Sequence, residues 1–240
     1  MTALPTDLDT AIAQAREATK AAINDGCPLM QVEVVIPELK AQPIAEKFLP
    51  AFSDLGLRTR VYFPDTGAAA LARRDWGDTD WQISELTSRR YPAQDQIEAD
   101  DEAILVIEPS AVEVKEVERV YRAAGDRPVV LLLPNLEDIA IIGIGAAGRQ
   151  LRERFLNIIE SIYFLAPLQE GTLFRCYPSG WQVWRDGETE DELIAELPRR
   201  PSGEELDRLF NPPTEDNANP SPRTGGFMSD LQKLWRALTH

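Results

Sequence analysis

Histidine is almost missing from this chain of 240 residues, the one copy being the terminal His240. That scarcity excludes a Ser-His-Asp or Cys-His nucleophile and any zinc site built on imidazole. Cysteine is scarce as well. Cys27 and Cys176 lie far apart, form no C-x-x-C or zinc spacing, and fit the usage of a reducing compartment, where such residues serve as small core side chains. No G-x-x-x-x-G-K-[ST] occurs, so a P-loop kinase or ATPase mechanism lacks its phosphate clamp. Positive charge is short too: 25 Lys and Arg stand against 40 Asp and Glu, a net charge of −15. Such a surface repels polyanions and anionic membranes at long range, and nucleic acid is not an expected partner. No apolar run approaches the roughly 20 residues that span a bilayer. The best, Ile139 to Ala147, carries two glycines, so any membrane contact is expected to be peripheral. The opening Met-Thr-Ala-Leu-Pro-Thr-Asp-Leu-Asp has neither the basic and apolar segments of a secretory leader nor an Arg/Ser-rich transit bias, and a cytoplasmic, bacterial-style protein is expected.

What the chain does have is alternation. Thr6 reads as the N-cap of a helix reaching about Asn24, with Leu8, Ile12, Ala15, Ala22 and Ile23 at helical spacing and Gly26 beyond its end. Val32 to Ile36 reads as a strand, and Leu39 to Leu55 as a helix interrupted near Pro43 and Pro50. Arg60 to Phe63 is the next strand and Ala68 to Asp75 the next helix. Trp76 to Asp101 is polar and weakly periodic, an irregular insertion with a short helix near Trp81 to Ser88. Strand Ala103 to Ile107, helix Ala111 to Ala124 and strand Val129 to Leu133 follow, then a long amphipathic helix after Gly148 carrying Leu151, Phe155, Ile158 and Ile159. Short strands at Ile162 to Leu165, Thr172 to Tyr177 and Trp181 to Arg185, separated by Gly171 and Pro178-Ser-Gly180, predict an antiparallel meander. A charged helix pair is expected around Asp191 to Glu196 and Glu204 to Phe210. The fold class is α/β: a mainly parallel central sheet covered by helices, extended at one edge by the meander. One domain over 1–210, a flexible linker over 211–226 and an amphipathic helix over 227–240 complete the plan.

Two features bear on ligand chemistry. Gly143-Ile-Gly145-Ala-Ala-Gly148 matches G-x-G-x-x-G and opens a helix, where backbone amides cradle phosphate in nucleotide-binding proteins and Arg149 and Arg152 would add charge. The strand before it is marginal and the acid at Glu170 falls late, so the alternative is a loop that lets a helix approach the sheet. The second feature is a repeated strand ending: Ile36-Pro-Glu38, Phe63-Pro-Asp65, Ile107-Glu108-Pro109 and Leu133-Pro-Asn135. In a parallel sheet these ends share one edge, where open α/β sheets place ligands, so Glu38, Asp65, Glu108 and Asn135, with Gly67 in the Asp65 turn, are candidates to line one crevice. There carboxylates bind Mg²⁺ or act as acid and base; the alternative is that they stop strands and cap helices, Asp65 and Ser110 being N-caps. No catalytic residue, metal or cofactor is assigned.

The tail is a third feature of another kind. Phe227, Leu231, Leu234, Trp235 and Leu238 fall on one helical face, opposite Asp230, Lys233 and Arg236. That face needs a cover, either its own domain or a protein partner. Two cations are few for a membrane-surface helix.

The block Arg60-Val-Tyr-Phe-Pro-Asp-Thr-Gly-Ala-Ala-Ala-Leu-Ala-Arg-Arg-Asp-Trp76, with Gln31-Val-Glu-Val-Val-Ile-Pro-Glu-Leu-Lys40 before it and Arg152-Glu-Arg-Phe-Leu156 through Tyr177-Pro-Ser-Gly-Trp-Gln-Val-Trp184 after it, resembles a family of cyanobacterial and plastid proteins. The domain carries no assigned function. The family includes the chloroplast Low Photosystem II Accumulation protein, which helps the core antenna subunit of photosystem II assemble, and in plants the domain also occurs fused to an adenylate kinase. The likeness covers roughly Leu4 to Phe210 and brings no catalytic motif; the kinase elements lie outside the shared domain. It implies an accessory protein of photosynthetic membranes on the stromal or cytoplasmic side, with a photosystem subunit or assembly factor as its protein partner and at most peripheral thylakoid contact.

Overall fold

A computed structural model describes residues 3–88, 90–137 and 145–212. The first helix, α1 (Leu8–Asn24), begins at Asp7, whose carboxylate accepts the Thr10 N–H at 2.6 Å. The expected cap, Thr6, instead donates its hydroxyl to Asp7 at 3.3 Å. Along α1 the small side chains Ala11, Ala15, Ala18 and Ala22 are buried, which lets the helix lie close on the sheet beneath it.

Among the described residues that sheet has nine strands: β1 (Leu29–Val34), β2 (Thr59–Phe63), β3 (Gln82–Glu85), β4 (Ala103–Ile107), β5 (Val129–Leu132), β6 (Glu160–Pro167), β7 (Gly171–Cys176), β8 (Trp181–Arg185) and β9 (Glu192–Leu197). Their order is β3-β2-β4-β5-β1-β6-β7-β8-β9. Pairings from β3 through β6 are parallel, and those from β6 through β9 are antiparallel. The α/β class, the parallel centre and the antiparallel extension at one edge are those the sequence predicts.

The remaining helices among the described residues are α2 (Ala41–Phe48), α3 (Pro50–Ser53), α4 (Thr66–Trp76), α5 (Val114–Ala124), α6 (Ala146–Arg154) and α7 (Gly203–Phe210), with 3₁₀ turns at Ala93–Gln96 and Leu156–Ile158. Strand alternation sorts the core into two faces. On one, Met30, Val32, Val61, Phe63, Leu105 and Val130 meet α1 to α4. On the other, Tyr62, Ile104, Val106, Val129 and Leu131 meet α5 and α6. A third cluster, Phe164, Leu173, Trp181 and Val183, is partly covered by Leu206, Leu209 and Phe210 of α7. The chain therefore reaches β2 and β3 over the α1 face and β4, β5 and β6 over the opposite one. The neighbours β2 and β4 send their exits to opposite faces, which defines a topological switch point between them.

Several expectations are corrected. The insertion expected to be irregular contains β3, paired in parallel with β2, and no helix at Trp81 to Ser88. Its one apolar residue, Ile83, gives no visible period; its buried Ser84 accepts from Arg60 Nη1 at 2.9 Å. The segment expected as the first of a helix pair, Asp191 to Glu196, is the edge strand β9, because pairing of Leu193 and Ala195 with Trp184 and Val183 overrides the helical preference of its glutamates. The helix expected after Gly148 starts before it and ends at Arg154; Phe155, at φ −137°, breaks it, and Ile158 and Ile159 lie beyond. Strand β1 lies earlier than expected, and β5 stops at Leu132 because Leu133 takes φ +52°. Helix α5 begins at Val114, with Ser110 opening the turn ahead of it by accepting the Val112 N–H at 3.2 Å. The helix assigned to 227–240, with Phe227, Leu231, Leu234, Trp235 and Leu238, lies outside the described residues, as does the linker beyond residue 212.

Candidate functional site

Among the described residues, three that are not glycine occupy the left-handed region of backbone space, one beyond the carboxyl end of each of three parallel strands: Glu38 (φ +61°) after β1, Glu108 (φ +48°) after β4 and Leu133 (φ +52°) after β5. Such residues are uncommon and persist where their surroundings fix them. At two of them the ladder does so, since the Glu108 N–H donates to Leu132 O and the Leu133 N–H to Val32 O, both at 2.8 Å.

Asp65 leaves β2 through Pro64 and caps α4. Its Oδ1 accepts from Gly67 N–H at 2.7 Å and Ala68 N–H at 2.9 Å. Gly67 belongs to the same device, because a Cβ there would stand 3.1 Å from that oxygen. Asp65→Ala is expected to cost about 1 kcal/mol of stability through loss of this cap, measured by urea denaturation; a loss above about 3 kcal/mol would mean that the carboxylate holds more than the helix start.

Asp65 and Glu108 share an open cleft of about 660 Å³ at the β2/β4 switch point. Its walls are mainly apolar, including Leu39, Pro43, Phe63, Leu71 and Ile107, with Lys40, Arg74 and Asp75 at the rim. Burial alone pushes the Glu108 carboxyl above its ordinary value. Asn135 does not join them. Its N–H donates to Pro109 O at 2.8 Å, and its side chain lines a separate cavity of about 210 Å³ together with Gln31, Glu33, Glu137 and Arg200. Glu38 lines neither space. The expected single crevice is thus two: Asp65 and Glu108 share one, and Asn135 lines the other with Gln31 and Glu33.

Of the glycine motif, Gly143 lies outside the described residues. Gly145 is the N-cap of α6, where a Cβ would meet nothing within 4 Å, and Gly148 is buried inside the helix. Arg149 and Arg152 follow on α6, and neither lines either cavity. Among the described residues, the loop and Asp65 do not converge on one pocket, and no group of three or more His, Cys, Asp and Glu forms a cation cage.

Gln31, Glu33 and Arg200 carry the second cavity and do not stand out in the sequence reading. The available signal was the polar pair in a central strand, Gln31 and Glu33 alternating with buried Met30, Val32 and Val34. The Glu33 carboxylate accepts from Gln31 Nε2 at 2.6 Å and from Ser161 Oγ at 3.2 Å. Burial pushes its pKa up, opposed by the positive charge of Arg200.

An open, mainly parallel sheet with clefts beyond its strand ends defines the protein as a doubly wound α/β domain with an antiparallel extension. Residues 5–208 match the family described as a domain of unknown function (DUF1995), and the chain belongs to that family. No helix of the described residues is long and apolar enough to cross a membrane.

Proposed function

We propose that this protein is a non-enzymatic accessory factor for photosystem II assembly, acting through protein–protein contacts at the cytoplasmic surface of the thylakoid. The observation that carries the non-enzymatic part is the state of Asp65: the one acid placed at the switch point by its own turn already accepts two backbone N–H groups. Its neighbour Glu108 shares the cleft, where burial pushes its carboxyl above the ordinary value. Around them the cleft wall is mainly apolar, the composition of a contact surface. The photosystem assignment rests on the sequence resemblance, and the apolar face of residues 227–238 supplies the docking element.

Deleting residues 225–240 and recovering partners from solubilised thylakoids tests the reading. The full chain is expected to retain photosystem II subunits, and the deletion to lower their recovery about tenfold, the loss of a helix-in-groove contact. Unchanged recovery removes the tail as the docking element; no photosystem subunit on the full chain overturns the assignment. Calorimetry with ATP, AMP and NAD(P), each with and without Mg²⁺, completes the test, since saturable heat would turn the reading to a nucleotide-handling protein built on the 143–148 loop.

A further inference from the structure

The small cavity beside β1 is built differently from the cleft at the switch point. It opens on the sheet face between two apolar clusters, the one under α5 and α6 and the one under α7. A polar gap between two cores needs partners for its charged groups. Glu33 projects into it from the central strand, held by Gln31 and Ser161, and Glu137 and Asn135 line it from the segment that leaves β5. On the other side stands Arg200, its guanidinium carbon 4.3 Å from the Phe164 ring centroid and 5.5 Å from that of Trp181. A guanidinium stacked by its face keeps its N–H donors at the edge, oriented for a planar carboxylate. The charge of Arg200 reaches the Glu33 carboxylate, and both groups line the same cavity.

We infer that this cavity binds a small zwitterion, a molecule of the α-amino acid class, with its carboxylate on Arg200 and its ammonium group on Glu33 and Glu137. The charge arrangement decides against simpler ligands. A plain anion would meet two carboxylates, inside a protein of net charge −15, and a plain cation would leave the Arg200 end unengaged. A molecule carrying both charges satisfies both ends. Burial disfavours the ionised form of Glu33, and a bound ammonium group supplies the opposite charge that restores it. Size agrees as well: a cavity of about 210 Å³ has room for a molecule such as alanine or serine.

The inference stands apart from the assembly reading and is tested without a protein partner. Calorimetry on the full chain would titrate the twenty amino acids, with propionate and ethylammonium as probes carrying one charge each, up to about 10 mM, above the range of an ordinary weak site. Saturable heat is expected from at least one small amino acid and from neither single-charge probe. Arg200→Ala and Glu33→Gln are each expected to weaken it about tenfold, the loss of one charge-assisted contact. Arg200 is exposed, so its replacement is expected to spare the fold, checked by an unchanged urea midpoint, and keeps the test valid even where Glu33→Gln unfolds. Absence of heat from every amino acid, equal binding of either single-charge probe, or unchanged binding by Arg200→Ala overturns the inference.

Discussion

Replacing Asp101 with alanine is expected to remove about 3–5 kcal/mol of folding free energy, because it strands a buried guanidinium. Asp101 and Arg60 are 2% and 4% exposed, and Arg60 Nε lies 2.5 Å from Asp101 Oδ2. The same oxygen accepts the Glu98 N–H at 2.7 Å, while Arg60 Nη1 donates to Ser84 Oγ at 2.9 Å and Nη2 stands 3.3 Å from Glu98 Oε1. One ion pair therefore ties β2 to β3 and to the end of the insertion that leads into β4. Against a typical stability of about 5–15 kcal/mol, the loss is a large fraction. It would be read as a lower urea midpoint at unchanged slope. Joint replacement, Arg60→Met with Asp101→Leu, is expected to recover most of it, since no charge is then left buried. A loss below about 1 kcal/mol for Asp101→Ala would show that water reaches the pair.

Gly171→Ala is expected to cost about 2–4 kcal/mol by overpacking. A Cβ at Gly171 would stand 1.8 Å from Trp184 O and 2.8 Å from Trp184 C. Those atoms are backbone, so no side-chain rotation relieves the clash, and the only escape is to move β7 away from β8, where Gly171 pairs with Arg185. The strain would fall on the meander, whose cluster around Phe164, Trp181 and Val183 supports the Arg200 wall of the small cavity. Gly203→Ala is the control: it opens α7, a Cβ there meets nothing within 4 Å, and stability is expected to hold or rise by about 0.4–1 kcal/mol. Thermal melts of the two variants side by side check the contrast, and equal melting temperatures would refute the close-contact argument.

Legibility followed the range of each interaction. β4 and β8 fall at the residues read from the sequence, as does the Asp65 cap, because strand period and capping act within a few positions. β3 escaped because its support is distant. Arg60 reaches Ser84 across 24 positions and Asp101 across 41, and a four-residue strand with one apolar side chain carries no period of its own. β9 escaped for the same reason, its conformation being set by β8.

By itself the sequence determined the α/β class, the parallel centre, the antiparallel edge and the Asp65 cap, because these depend on local periodicity and on hydrogen bonds between near neighbours. Tertiary structure alone decided which strand-end acids meet. Strand order placed Asp65 and Glu108 together at the β2/β4 switch point and sent Asn135 to the other cavity. It also set Glu33 and Arg200 around one cavity, although 167 positions separate them in the chain. Residues so far apart are joined only when the sheet closes between them, and no local pattern carries that information.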